Sequence, residues 1–191
     1  AEILSTDLTD NIICDIGMAV HHKSTLFNVR VIILNKYIHL IRPKLVMADD
    51  GNYRESRFFS PWRKKELETF TLPSSIRKIT GQDETKIGNA IMSLTDSELA
   101  IEICEELWAP NSPHIDMALS GAEIIFNSSA SHFAVGRIQK RYDLIRETTS
   151  KDGVCYIYSN LVGCDGDRMY FDGCSLISIN GIFLARGKQF T

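Results

Sequence analysis

One cysteine, Cys104, occupies a position from which a side chain could do chemistry. It follows the largely apolar run Leu99–Ile103, which predicts a buried strand, and it precedes the turn-forming segment Ala109–Pro113. A side chain at the end of a buried strand is held rigidly and can face a pocket, so Cys104 could attack a carbonyl carbon as a nucleophile. A free cysteine is also commonly a small buried hydrophobe, and position alone does not separate the two interpretations.

The acidic neighbours of Cys104 bear on that choice. Glu102, Glu105 and Glu106 would disfavour a thiolate if they pointed toward the sulfur, and in a strand Glu102 shares a face with Cys104. A reactive Cys104 would therefore need a cation from elsewhere in the chain. Lys44 is a candidate because it follows a predicted strand, although a lysine in that position is most often exposed on a surface loop.

Two other segments resemble metal sites, and neither fits one. His21 and His22 are neighbours, so on an extended chain their side chains point to opposite sides, which favours a solvated loop. The segment Gly163–Asp167 has the aspartates and glycine of a calcium loop, but no glutamate closes the loop, which favours a tight turn. The phosphate-binding G-x-x-x-x-G-K-[ST] and dinucleotide-binding G-x-G-x-x-G patterns are absent from the sequence.

Composition narrows the class of protein. A chain of 191 residues with 44% hydrophobic and 24% charged residues is expected to form one globular domain. The net charge of −3 indicates neither a nucleic-acid nor a membrane partner, and the apolar runs are too short to span a bilayer. The five cysteines are odd in number and widely spaced, which favours reduced thiols in a cytoplasmic protein. The first residue is Ala1 and not methionine, which suggests a fragment or a processed chain.

The predicted elements alternate between strands and helices. Strands are expected at 12–18, 28–34, 37–41, 99–103, 123–127 and 154–160, with a closing hairpin around Asn180–Gly181, and the chain is expected to return to the core at 87–94. Helices are expected from Pro113 to Leu119, with Ser112 as the cap, and from Gly136 to Ser150. The polar stretch Arg63–Lys86 is expected to be an exposed segment that contains weak strands and lies outside the core. This order predicts an α/β layered domain with functional residues at the strand ends.

The sequence around these residues resembles that of the nitrilase (carbon–nitrogen hydrolase) family, and in particular that of the glutaminase domains of eukaryotic-type glutamine-dependent NAD synthetases. The resemblance runs from about Ile12 to the last residue and is carried by these segments: Arg42–Lys44, Gly51–Glu55, Ile103–Trp108, Ser112–Met117 and Gly163–Cys174. It implies a nitrilase-like αββα four-layer sandwich, incomplete at its N-terminus, with residues 1–191 forming one glutaminase domain.

The resemblance also implies roles for individual residues. Cys104 would attack the side-chain amide of glutamine, and Lys44 and the backbone N–H of Glu105 would stabilise the oxyanion. Glu55 would be the supporting glutamate that positions Lys44. Four further residues would hold the substrate: Tyr53, Glu105, Ser131 and Arg137, with Trp108 as a pocket wall. Glu105 would pair with the α-ammonium of glutamine and Arg137 with its α-carboxylate, so the acidic cluster would serve recognition.

The general base of the family is a glutamate upstream of this sequence, so the chain alone is expected to be nearly inactive and to expose sheet edge and core. No metal or cofactor is expected in this domain. ATP, magnesium and deamido-NAD are expected at a synthetase domain that lies outside the sequence, and the partners are glutamine, that domain and further copies of the chain. Two other interpretations stay open: a stand-alone nitrilase-type amidase, and an inactive fragment that acts as a scaffold.

Overall fold

The computed structural model describes all 191 residues, which form two compact units, Ala1–Ala90 and Ile91–Thr191. Each unit contains one main sheet. None of the helices has the length and apolar character needed to cross a membrane.

The Ala1–Ala90 unit is built on a five-stranded sheet. Its elements are β1 (Cys14–His22), β2 (Thr25–Leu34), β3 (Tyr37–Pro43), β4 (Glu68–Thr71), α1 (Ser74–Thr80) and β5 (Glu84–Ile87). The strand order is β1-β2-β3-β5-β4, with β3 and β5 parallel and the other pairs antiparallel. Short 3₁₀ helices cover Ile3–Ser5 and Glu55–Arg57. The predicted hairpin at Asn35–Lys36 is confirmed, because β2 and β3 flank those two residues and both have positive φ.

The core of this unit consists of side chains from the sheet and the segments beside it. Its buried members include Phe27, Val29, Ile41, Trp62 and Ile87. An apolar cavity of about 520 Å³ adjoins the same sheet, lined by residues that include Leu4, Ile16, Val31, Phe70 and Ile76.

Two predictions for this unit were wrong in part. His21 and His22 do not lie in a solvated loop: they end β1, because the turn to β2 is confined to Lys23–Ser24. The ring of His22 is buried, with Nε2 2.6 Å from Oε2 of Glu68. The stretch Arg63–Lys86 does hold two short strands, but it also contains α1, and these strands complete the sheet rather than lying outside it.

The Ile91–Thr191 unit is built on a six-stranded sheet. Its elements are β6 (Met92–Ser93), β7 (Glu98–Ile103), α2 (Pro113–Leu119), β8 (Ile124–Ser129), α3 (Arg137–Asp152), β9 (Cys155–Asn160), β10 (Val162–Asp165), β11 (Met169–Asp172), β12 (Leu176–Ile179) and β13 (Ile182–Arg186). The strand order is β13-β12-β9-β8-β7-β6, and β10 and β11 form a separate hairpin. The three central strands β7, β8 and β9 are parallel, which is why each is separated from the next by a helix.

Most local predictions in this unit are confirmed, but the tight turn predicted at Gly163–Asp167 is wrong in part, because residues as far as Asp165 belong to β10 and pair with β11. Helix α2 starts at Pro113 as predicted, although the hydroxyl of Ser112 donates to the carbonyl of Ala109 (2.7 Å) instead of capping the helix. Asn180 and Gly181 both have positive φ and join β12 to β13. Because β7, β8 and β9 are parallel, the residues that follow them meet at one edge of the sheet, and Cys104 is among these residues.

Candidate active site

Cys104 lies directly after β7, at the first residue of a 3₁₀ helix that spans Cys104–Trp108. Its φ of 46° falls in the left-handed region, which is uncommon for a residue with a Cβ atom and recurs at functional sites. The side chain is half-buried and is a free thiol, as are the other four cysteines. The chain therefore makes a sharp turn at the residue that the sequence marked as the candidate nucleophile.

Two side chains hold the backbone of this turn. The carboxylate of Glu106 accepts a hydrogen bond from the N–H of Ile103 (2.7 Å). The Oδ1 of Asn127, on β8, accepts a hydrogen bond from the N–H of Cys104 itself (3.1 Å). Glu106 and Asn127 are both buried. The two peptide groups that precede Cys104 are thus tied to buried side chains, which helps to hold its unfavourable φ in place.

The carboxylate of Glu102 forms hydrogen bonds inside the unit. Its Oε1 accepts from the N–H of His114 (3.3 Å) and lies 3.0 Å from Nδ1 of that ring, and its Oε2 accepts from the hydroxyl of Tyr156. Burial disfavours the charged form of Glu102, but the hydrogen bonds and charge of His114 and the hydrogen bond from Tyr156 hold its pKa below the ordinary value. The expectation that Glu102 opposes a thiolate at Cys104 is therefore revised, because this carboxylate is neutralised by other partners.

Ser131 is buried two residues beyond β8 and is held on three sides. Its N–H donates to Oδ1 of Asn160 (2.8 Å), and its carbonyl accepts from Nδ2 of the same residue (3.1 Å). Its hydroxyl accepts from Arg141 (3.3 Å), which is itself paired with Asp172 at 3.2 Å. A hydroxyl fixed in this way can serve as a rigid recognition group for a substrate.

Arg137 opens α3 and stacks on Trp108. The guanidinium carbon lies 4.7 Å from the centroid of the indole ring, a cation–π contact that orients the side chain. Its Nε is buried and makes no hydrogen bond within the chain. A buried guanidinium nitrogen without an acceptor is costly unless a ligand supplies one, and a carboxylate is the ligand that fits its geometry.

Tyr158 links these groups. Burial raises the pKa of its hydroxyl, Arg141 opposes that rise and Cys104 adds to it, so both residues lie near the ring. The guanidinium carbon of Arg141 is 5.6 Å from the ring centroid. The nucleophile candidate, Ser131 and the Arg141 pair therefore belong to one neighbourhood at the carboxyl ends of β7, β8 and β9.

Lys44 and Glu55 form the second group of candidate residues, in the Ala1–Ala90 unit. Lys44 follows β3 and its side chain is 3% exposed, so the alternative that it is a lysine on a surface loop does not hold. Its Nζ lies 2.5 Å from Oε2 of Glu55. Glu55 in turn accepts hydrogen bonds from the N–H of Ala48 (2.8 Å) and from Nδ2 of Asn28 (2.7 Å). The pair is a buried ammonium held in one orientation by a fixed carboxylate.

The remaining candidates are placed as follows. Tyr53 is half-buried in the loop after β3, and its N–H donates to the carbonyl of Asp50 (2.9 Å). Glu105 is half-buried on the 3₁₀ helix that starts at Cys104. In the first unit the structure pairs Lys44 with Glu55, which lies two residues beyond Tyr53 in the sequence. In the second unit Glu105 and Trp108 share the 3₁₀ helix of Cys104, Arg137 stacks on Trp108, and Ser131 follows the neighbouring strand β8. No group of three or more histidine, cysteine, aspartate or glutamate side chains is arranged to hold a metal ion.

Arg141 and Asn127, which support these candidates, were not predicted from the sequence, and Glu102 was predicted only as a group that opposes a thiolate. Glu102 is a charged residue inside an apolar strand, and Arg141 lies on the buried face of α3 with Ile138 and Ile145. In both elements a charged residue stands at an apolar position, which indicates a buried hydrogen bond or ion pair, because a buried charge in a native protein is normally paired. Asn127 carries no comparable signal, since a single asparagine near the end of a strand is ordinary.

Comparison with known proteins places the chain in a family. Residues 8–191 match the model of the carbon-nitrogen hydrolase family. The chain is 53% identical over 186 residues to the glutamine-dependent NAD(+) synthetase of Dictyostelium discoideum. The matched region covers 97% of this chain and 26% of that protein. It is 47% identical over 192 residues to the glutamine-dependent NAD(+) synthetase of Homo sapiens. The matched region covers 100% of this chain and 27% of that protein. The chain therefore spans about a quarter of the length of these curated relatives.

A solved structure agrees with this result. The crystal structure of a glutamine-dependent NAD(+) synthetase from Cytophaga hutchinsonii superposes with a TM-score of 0.84 at 25% identity, over 100% of this chain and 29% of that chain. The nitrilase-like α/β fold and the resemblance noted in the sequence are confirmed. This chain belongs to the carbon–nitrogen hydrolase family.

Proposed function

We propose that this chain hydrolyses the side-chain amide of glutamine as the glutaminase part of a glutamine-dependent NAD synthetase. The position of Cys104 carries the proposal: a half-buried thiol on a left-handed turn, directly after a buried parallel strand. The identity of about half of the residues to curated glutamine-dependent NAD(+) synthetases supports this choice of substrate.

The proposed reaction has two halves. The sulfur of Cys104 attacks the amide carbon of glutamine, and the negative charge that develops on the oxygen is stabilised by Lys44 and by the N–H of Glu105. The carbon–nitrogen bond then breaks, the nitrogen takes up a proton and leaves as ammonia, and a thioester remains on Cys104. Water attacks this thioester, so that glutamate is released and the thiol is restored.

Proton transfer in both halves needs a general base, which the family resemblance assigns to a glutamate upstream of these residues. Positioned acid–base groups contribute roughly 10²–10⁴-fold to rate. We therefore expect the chain alone to hydrolyse glutamine slowly, even if Cys104, Lys44 and Glu55 are all correctly placed.

Recognition of glutamine follows from its two charged groups. The buried Nε of Arg137, which has no acceptor in the chain, supports pairing with the α-carboxylate. Glu105 is proposed to accept from the α-ammonium, and Tyr53 and Ser131 to contact the substrate beside the wall formed by Trp108. An enzyme for simple amides or nitriles would gain nothing from this pair of opposite charges.

The ammonia is proposed to be used by the synthetase domain of the parent enzyme, which joins it to deamido-NAD with ATP and magnesium. These ligands are assigned to that domain and none to the residues described here. We further propose that the enzyme is a cytoplasmic homo-oligomer.

The test is covalent labelling with a chloroketone analogue of glutamine, followed by intact mass and peptide mapping. It is carried out on this chain and on a polypeptide extended to the length of the curated relatives. We expect the longer polypeptide to form a thioether at Cys104, with loss of chloride, and to be protected by glutamine. Cys104→Ser is the control and should abolish that labelling while leaving the exposed Cys164 unaffected.

Two results would overturn the proposal, and a third would contradict the slow rate expected of the chain alone. Absence of labelling at Cys104 in both polypeptides would favour a scaffold role. Labelling that glutamine does not slow, together with hydrolysis of simple amides, would favour a stand-alone amidase. Full glutaminase turnover by this chain alone would contradict the requirement for an upstream base.

A further inference from the structure

A buried chain of hydrogen bonds connects Cys104 to residues with no role in the reaction above. It starts at the N–H of Cys104, which donates to Oδ1 of Asn127 (3.1 Å). The Nδ2 of Asn127 donates to the hydroxyl of Tyr156 (2.9 Å) and lies 3.4 Å from Oε2 of Glu102. Asn127, Tyr156 and Glu102 are each at most 1% exposed. Buried polar groups of this kind are retained only where their hydrogen bonds are satisfied, so these hydrogen bonds form one cooperative network.

The charge of Glu102 decides which way the amide of Asn127 faces. An ionised carboxylate can only accept hydrogen bonds, so the amino end of Asn127 must point toward Glu102 and the carbonyl end toward Cys104. The carbonyl oxygen also accepts from the hydroxyl of Ser129 (2.8 Å), which favours the same orientation. The opposite orientation would set the amide NH₂ against the N–H of Cys104 and leave both unsatisfied.

Glu102 is itself fixed from two other elements. His114, at the start of α2, meets Oε1 through both its backbone N–H and its Nδ1. The Nε2 of the same ring lies 3.3 Å from Oγ1 of Thr148 and 3.9 Å from Oδ2 of Asp152, both on α3. The orientation of Asn127 is therefore anchored by β9, α2 and α3 together, and not by one flexible contact.

The backbone of Cys104 needs such an anchor. Its φ of 46° is unfavourable for a residue with a Cβ atom, so the turn would relax if nothing opposed relaxation. Only one side chain in the structure accepts a hydrogen bond from this N–H, and it belongs to Asn127. A relaxed turn would move the sulfur away from the position required for attack, and small displacements of a reacting atom lower rates steeply.

We propose that Asn127 is a positioning residue that holds Cys104 in its left-handed conformation, and that Glu102 fixes the orientation of Asn127. The inference rests on the proposed role of Cys104 as the nucleophile. It concerns the geometry of the reacting sulfur and not the binding of glutamine, because neither side chain is assigned a contact with the substrate.

The test measures kcat and KM for glutamine in the extended polypeptide, together with the rate of Cys104 labelling by the chloroketone. Asn127→Leu keeps the approximate volume and removes the acceptor. We expect kcat and the labelling rate to fall about 100-fold and KM to change less than about threefold, since the substrate contacts are intact. Gln82→Met is the matched control, because Gln82 is another buried amide, bonded to Ile38 and Glu84 in the first unit.

Variants that exchange the amide of Asn127 and the carboxylate of Glu102 distinguish a positioning role from a general loss of stability. Asn127→Asp alone sets two carboxylates against each other, and we expect activity as low as that of Asn127→Leu. The double substitution Glu102→Gln/Asn127→Asp restores one amide and one carboxylate in exchanged positions, with an acceptor facing the N–H of Cys104. We expect the kcat of this double variant to be at least about tenfold higher than that of Asn127→Asp.

The outcomes are distinct. Retention of kcat within about threefold by folded Asn127→Leu would overturn the inference, and so would equal losses in Asn127→Leu and Gln82→Met. If Asn127→Leu does not fold, failure of the double substitution to exceed Asn127→Asp overturns it. Absence of labelling in the unsubstituted protein would instead contradict the proposed function, so the two failures can be told apart.

Discussion

The Nζ of Lys44 lies 2.5 Å from Oε2 of Glu55, and the side chain of Lys44 is almost fully buried. Glu55 is held by the N–H of Ala48 and the amide of Asn28, so the carboxylate has little freedom to move. An ion pair arranged in this way differs from a surface pair, because removal of one member leaves the other charge buried without compensation.

Replacement of Lys44 by methionine should therefore reduce stability as well as activity. We expect Lys44→Met to lower the free energy of unfolding by about 3–5 kcal/mol, measured by urea denaturation, because the carboxylate of Glu55 is left without its cation. Arg146→Met is the control: Arg146 pairs with Asp143 on the exposed side of α3, and its loss should cost at most about 1 kcal/mol. Equal losses in the two variants would show that the Lys44 pair is not buried in solution.

Substitutions of Arg141 and Asp172 should have non-additive effects on the free energy of unfolding. Both side chains are at most 1% exposed and their charged atoms lie 3.2 Å apart. We expect Arg141→Met to lower the free energy of unfolding by about 3–5 kcal/mol, and Arg141→Met/Asp172→Leu to recover much of that loss, because the double variant leaves no unpaired charge. The measurement is again chemical denaturation, with Arg168→Met at the exposed pair with Asp165 as the control. A double variant less stable than Arg141→Met would contradict this account.

Arg137 should affect substrate binding more than folding. If its guanidinium pairs with the α-carboxylate of glutamine, Arg137→Met removes a charged hydrogen bond of about 1.5–3 kcal/mol, so we expect KM to rise about 10–100-fold. Lys140→Met is the matched control, since Lys140 also lies over the ring of Trp108, at 5.8 Å, but is exposed on α3. Steady-state kinetics with glutamine in the extended polypeptide decides between them, and similar KM values for both variants would remove Arg137 from the recognition site.

Glu68 should make the first unit sensitive to acid. Hydrogen bonds from Lys64, His22 and Lys23 lower its pKa from 4.5 to about 2. A carboxylate with a depressed pKa in the folded state stabilises the protein above its unfolded pKa, and that contribution is lost as the pH falls through the folded value. We therefore expect the protein to be more stable than Glu68→Gln at about pH 6 and the difference to disappear near about pH 2.

Urea denaturation across this pH range tests the prediction. Glu84→Gln, at an exposed position on the neighbouring strand β5, is the control and should change stability little at any pH. A constant difference between the protein and Glu68→Gln over the whole range would show that the carboxylate of Glu68 does not gain these partners on folding.

Elements with strong local signals were predicted well. The hairpins at Asn35–Lys36 and Asn180–Gly181, the strand that ends before Cys104 and the start of α2 at Pro113 all agree with the structure. Each depends on residues within a few positions of one another, such as a turn dipeptide with positive φ or a proline at the first helical position. Information of this kind is present in the order of residues alone.

Partners distant in sequence could not be predicted in the same way. Glu102 and Asn127 are brought together only because β7 and β8 are parallel neighbours with Glu102 opposite Asn127 in the register. A shift of one residue in that register would turn every side chain to the other face, and the buried contact would not form. The burial of His22 against Glu68 likewise depends on the packing of β1 beside a segment 46 residues further along the chain.

The sequence by itself determined the family, most of the order of strands and helices, and the residue types that could attack an amide carbon and stabilise the resulting oxyanion. Tertiary structure decided which of those residues have partners: the carboxylate that holds Lys44, the amide that holds Cys104, and the direction in which Glu102 faces. The reason is physical. The residue types set what chemistry is available, whereas the distances and orientations that make a group reactive arise only when separate elements pack and exclude water from the groups between them.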